Sequence, residues 1–124
     1  MNMFVEDTDI VEVKVHYISV GKKVEILEAP KEGSTTLTAV FRQPDFSTSQ
    51  RLVSTSTSVS PDGSPAVNIM ALQNNMIYFL AKTWDAKDAE GKPIILNNEN
   101  IGRLRVEVAR ALINKLSQDV GQLM

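Results

Sequence analysis

The apolar residues of this chain change period part-way along it, from two to between three and four, and that switch confines the fold more than any other feature. Val11, Val13, Val15 and Tyr17 alternate with Glu12, Lys14, His16 and Ile18. Period two puts alternate side chains on opposite faces, so the segment predicts a half-buried strand. Gly21-Lys22 interrupts it, and Val24-Glu25-Ile26-Leu27-Glu28 predicts a second strand. The short connection predicts an antiparallel hairpin. After the turn cluster Pro30-Lys31-Glu32-Gly33-Ser34, Leu37, Ala39 and Phe41 alternate with Thr38, Val40 and Arg42, predicting a third strand.

Beyond Pro44 the pattern turns helical. Phe46, Ser49-Gln50 and Val53 share one face if residues 45–53 form a short helix. The tract Ser54-Thr55-Ser56-Thr57-Ser58-Val59-Ser60 is poor in helix formers, because hydroxyl side chains compete for backbone hydrogen bonds. It reads as a mobile linker running through Pro61-Asp62-Gly63. A short strand with Thr55, Thr57 and Val59 on one side is the other reading. Ser64-Pro65 has the form of a helix start. Ile69, Leu72, Met76, Phe79, Leu80 and Trp84 continue it at spacings of three and four, predicting a helix over 65–84. A polar turn covers 85–93, and Ile94-Ile95-Leu96 reads as extended. Asn97 or Asn98 caps a further helix, with Glu99 in its first turn and Gly102 bending or dividing it. Val106, Ala109, Ile113, Leu116 and Val120 form a heptad-like seam in the last segment.

The expected fold is therefore α+β in one domain: an N-terminal antiparallel meander of about three strands, then a helical part of two to four helices. Within it, residues 1–9 form an acidic leader, 10–43 the β-rich part, 44–63 a short helix with the Ser/Thr-rich linker, and 64–124 the helical part. At 124 residues and 43% hydrophobic content, the chain is long enough to bury a core of its own.

Composition removes several chemistries. There is no cysteine, so disulfides, thiol catalysis and thiolate metal sites are absent. The single histidine, His16, reads as an exposed or half-exposed sheet residue rather than a general base. Asp85, Asp88 and Glu90 lack the glycine and terminal glutamate offsets of a calcium loop. No phosphate-binding loop, dinucleotide fingerprint or nucleophile elbow occurs. No catalytic residue, metal site or cofactor is expected. A net charge of -2 argues against general nucleic-acid binding. The acidic start is no signal peptide, and no apolar run nears the roughly 20 residues that span a bilayer, so a soluble, cytoplasmic chain is expected. Arg103, Arg105, Arg110 and Lys115 read as a solvated positive stripe or as a surface for an acidic partner.

One stretch carries a resemblance. Trp84-Asp85 ends a helix, Glu90-Gly91-Lys92-Pro93 forms a turn, Ile94-Ile95-Leu96 is a short apolar piece, and Asn97-Asn98-Glu99-Asn100-Ile101 opens a capped helix. This order resembles the tail assembly chaperones of long-tailed bacteriophages, and the likeness extends loosely over residues 42–118. Where the family has a pair of small or proline residues before the last helix, this chain has Leu104-Arg105-Val106-Glu107-Val108.

The resemblance implies a non-enzymatic chaperone in the host cytoplasm. Such a protein coats the helices of the tape measure protein and assists assembly of the tail tube protein. The alternative is a structural subunit of tail or neck that stays in the virion. Coating a helix needs an adaptable apolar surface. Met70, Met76 and Ile77 on the 65–84 helix suit it, although the same residues would serve equally as core. Trp84 is the candidate aromatic anchor for core or interface. Ile113 and Leu116 are candidates for partner binding and for self-association through the C-terminal helix.

Overall fold

The computed structural model describes residues 2–120, and within them the chain is an α+β fold. Strand β1 (Ile10–Val20) turns through Gly21-Lys22 into β2 (Lys23–Leu27), with Val20 opposite Lys23. Gly21 has φ 64°, the positive value that a two-residue loop opening on glycine requires. Strand β3 (Thr35–Arg42) lies along the other edge of β1, also antiparallel. The three-stranded antiparallel sheet expected at the N-terminus is thus present, though with β1 between β2 and β3 rather than in meander order, and it is followed by four helices: α1 (Phe46–Thr55), α2 (Ile69–Leu80), α3 (Asn98–Gly102) and α4 (Val106–Val120).

Two of the expected boundaries move. The Ser/Thr tract is not an irregular linker. It contains β4 (Thr57–Val59), which pairs with β5 (Pro65–Val67) as a small separate hairpin. The strand reading of that tract is realised over Thr57–Val59, while Ser54 and Thr55 belong to α1. The helix expected over 65–84 spans only Ile69–Leu80. Pro65 sits in β5, and Asn68 takes the capping role expected of Ser64, its Oδ1 accepting from Ala71 N at 3.1 Å. At the other end Ala81 leaves helical geometry at φ -60°, ψ 128°, and β6 (Ala81–Trp84) pairs with β3. The open edge of β3 outweighs continued helix here, because its backbone groups need partners. The sheet order is β2-β1-β3-β6, so a strand from the C-terminal half closes the N-terminal sheet.

One face of the sheet is apolar and buried: Val13, Val15, Val24, Leu37, Ala39 and Phe41. Against it pack Met76, Ile77 and Leu80 of α2, Ile101 of α3, and the α4 residues Val108, Leu112, Leu116 and Val120. The buried ladder of α4 is therefore displaced from the expected seam, of which it keeps Leu116 and Val120. Spacing of four aims Val108 and Leu112 at the sheet, while Ala109 and Ile113 turn toward α2 and Val106 stays 58% exposed. Each buried Leu or Val contributes about 1.5–3 kcal/mol over its exposed state. The opposite face carries Glu12, Lys14, His16, Thr36 and Arg42, as period two requires.

Candidate partner-binding surface

Of the six residues singled out as partner-binding, the structure leaves one in the open. Met70 is 73% exposed at the start of α2. Met76, Ile77 and Leu116 are core side chains, packed between helices and sheet, and offer nothing to a partner in the folded chain. Ile113 is half-buried in a groove between α2 and α4 that Tyr78, Leu104 and Val106 also line. Leu116 and Val120 of the expected seam are likewise taken up by the chain's own core, while Val106 and Ile113 stay at least partly open.

Trp84 is half-buried and acts as the pin of a clasp. Its Nε1 donates to Ile94 O at 2.7 Å across the turn. Next to it, Asp85 extends the β3–β6 pairing with both backbone and side chain: Asp85 N donates to Thr38 O at 3.1 Å, and Asp85 Oδ1 accepts from Thr38 N at 2.7 Å. Asp88 Oδ1 accepts from Glu90 N and Lys92 N at 2.8 and 2.9 Å, closing the turn around Gly91 at φ 81°. Ile94 N returns to Ala86 O at 2.9 Å. Asn97 then caps α3, its Oδ1 accepting from Asn100 N at 2.8 Å. The motif from Trp84 to Ile101 is thus a folded unit in which the side chains of Trp84, Asp85, Asp88, Asn97 and Asn100 each bond to a backbone group.

Exposed apolar side chains also stand on α1 and at the start of α2. The α1 helix buries Leu52 alone, and the face shared by Phe46, Ser49, Gln50 and Val53 looks outward over a shallow groove of about 770 Å³. Phe46 is 78% exposed. The helix is capped by Asp45, whose Oδ1 accepts from Thr48 N at 2.8 Å; that bond holds the carboxyl below its usual range. Ser56 ends α1 and ties it to α2: Ser56 O accepts from Asn68 N at 2.8 Å, and Ser56 Oγ accepts from Asn75 Nδ2 at 3.1 Å. Between these two anchors leaves the β4–β5 hairpin, with Val59 and Val67 exposed, and directly after it come the exposed Ile69 and Met70. The sequence carries the Phe46–Val53 face, and the sign that this face points outward is Leu52, the strongest apolar residue of the helix, which stands outside it.

Ionisable groups do not converge. Among the described residues no three His, Asp or Glu side chains could hold a metal ion together. His16 Nδ1 lies 2.7 Å from Thr36 Oγ1 on the outer face of the sheet, a cross-strand pair. Glu107 Oε2 accepts from Val24 N at 3.2 Å; that bond, then the nearby Arg105 and Lys23, lowers its pKa. Arg105 and Lys115 reach the backbone carbonyls of Lys22 and Lys14, so these two cations brace β1 and its turn. An interior void beside Trp84 measures about 10 Å³, no larger than a single water. No helix of the described residues is long and apolar enough to cross a membrane. No protein-family model, curated protein or solved structure matches the chain.

Proposed function

We propose that this protein is an assembly factor that works by binding another protein and has no active site of its own. The observation that carries the reading is the outward face of α1, where Phe46 is 78% and Val53 39% exposed beside a shallow groove. Exposed apolar groups clustered on a small chain mark a protein-interaction site. Phe and Met are also the side chains that adapt to an irregular helical client. The resemblance over Trp84 to Ile101 supplies the client: the tape measure protein of a long-tailed phage, coated in the host cytoplasm while the tail tube is assembled.

The test is co-expression with the tape measure protein of the same genome. The wild-type chain is expected to raise the soluble fraction of the tape measure, and a Phe46→Asp, Met70→Asp variant to lose that effect while keeping its own fold. An equally insoluble tape measure with and without the chain sinks the reading. The β4–β5 hairpin, which projects beyond the fold, favours a second reading, a structural subunit retained in tail or neck. Purified virions separate the two, since a chaperone is absent from them and a subunit is present in many copies.

A further inference from the structure

The two ends of strand β1 carry opposite chemistry. At its N-terminal end, residues 2–9 hold Glu6, Asp7 and Asp9 and no base. Met3 and Phe4 beside them are 91% and 71% exposed. The segment is fixed at its root: Gln43 N donates to Asp9 O at 3.1 Å, and Lys82 Nζ to Asp7 O at 2.7 Å. Both contacts use backbone carbonyls and leave the carboxylates aside. Arg42, which lines the same hollow as Glu6 and Asp7, donates to Phe79 O at 2.7 Å. Glu6 and Asp7 are exposed, so acids and apolar pair alike stand open to another molecule.

At the other end of β1 the apolar face of the sheet runs out from under the helices into a cleft of about 850 Å³. Tyr17, Leu37, Ile94 and Leu104 give it apolar walls, and Lys87, Arg103 and Arg105 stand around it. The ion pairs among the described residues are Lys14 with Glu12 and Lys92 with Glu90, so these three cations are paired with no carboxylate there. The neighbouring acids are engaged with backbone. Asp85 accepts from Thr38 N, Asp88 from Glu90 N and Glu107 from Val24 N. Arg105 also reaches the β1–β2 turn, which adds Lys22 and Lys23 to this end. A chain of net charge -2 thus keeps one basic, concave end.

We infer that this cleft takes the segment Met3-Phe4-Val5-Glu6-Asp7 of a second copy, its apolar pair on the cleft walls and its two carboxylates on Lys87, Arg103 and Arg105. The segment complements the cleft twice, apolar to apolar and acid to base, and every copy carries both halves. Guanidinium forks hold carboxylates by two-point contacts, which fixes the direction of docking. Geometry bars a chain from filling its own cleft. Tyr17 lies seven residues along β1 from Ile10, about 23 Å at the usual strand rise. Residues 3–6, beyond the tie at Asp7, extend about 14 Å at most. The donor is therefore another copy, whose own cleft stays open for a third. Contacts of this head-to-tail kind close into rings or run on as filaments. The inference does not rest on the client proposed for α1.

Sedimentation of the full chain over a range of concentrations tests it. The weight-average mass of the wild type is expected to rise from 13.7 kDa past twice that value, and to fall back as salt is raised. A segment variant, Phe4→Ala with Glu6→Gln and Asp7→Asn, is expected to associate about tenfold more weakly or worse. A cleft variant, Lys87→Glu with Arg103→Glu, keeps the Arg105 brace and is expected to do the same. Mixed in equal amounts, the two variants are expected to form a dimer and nothing larger, since one supplies the only intact segment and the other the only intact cleft. Unchanged far-UV spectra show that each variant is folded. A wild type that stays monomeric overturns the inference, as does association that either variant leaves intact, or a mixture that stays monomeric. A monomeric wild type whose solubilisation of the tape measure is lost in the cleft variant also overturns it and assigns the cleft to an acidic client.

Discussion

Leu116 has no exposed surface and lies between the sheet and the second helix, whereas Met70 stands in solvent at the start of that helix. Their substitutions should therefore separate stability from binding. Leu116→Ala is expected to cost about 2–5 kcal/mol in urea unfolding, the usual range for a buried leucine that leaves a cavity. Met70→Ala should change stability by no more than about 0.5 kcal/mol and show its effect on client capture instead. Glu107 is the residue with a pH signature. Its carboxylate holds Val24 N, which lowers its pKa from the ordinary 4.5. A carboxyl with a depressed folded value contributes stability above its unfolded value and loses it as pH falls through the folded one. Amide exchange at Val24 should accelerate as pH drops below about 4.5, over and above intrinsic exchange. Glu107→Gln should remove that pH dependence, and identical profiles for the two proteins would break the link.

At the scale of elements, caps and turns decide where helices stop. Asn68→Ala removes the α2 cap and is expected to lower stability by about 1 kcal/mol, read from the unfolding midpoint. Gly91→Ala should cost about 1–2 kcal/mol by strain alone, since a Cβ there meets no atom within 4 Å and only φ 81° opposes it. The first three strands, the cap at Asn97 and the division at Gly102 were legible in the sequence because each rests on local chemistry: alternation, a side-chain acceptor, a residue without Cβ. The ends of α2 were not legible. Trp84 follows Leu80 at helical spacing and completes the stripe, yet the edge of β3 claims residues 81–84 for a strand, and that edge lies some forty residues earlier in the chain. The phase of α4 was hidden for the same reason. Val108-Leu112-Leu116-Val120 and Val106-Ala109-Ile113-Leu116-Val120 are both regular apolar series, and only the position of the sheet chooses between them. The candidate surface was the least legible part, since exposure of Phe46 and Met70 is a property of packing elsewhere.

For the molecule as a whole, the placement of β6 makes the sheet and the helices inseparable. A fragment containing residues 1–63 would keep β1, β2 and β3 but present the long edge of β3 and one apolar face to solvent. It is expected to aggregate, and light scattering against the full chain at equal concentration checks this; a soluble, monomeric fragment would show that the three-stranded sheet stands alone. The same placement has a temporal side. During synthesis β3 is made before Ala81–Trp84 exists, so its backbone edge has no β6 partner while α1, the hairpin and α2 are made. At about 5–20 residues per second that wait lasts seconds. A chain proposed to keep another protein from sticking thus passes through its own interval of adhesiveness, and the rate at which codons 43–84 are read sets how long that interval lasts.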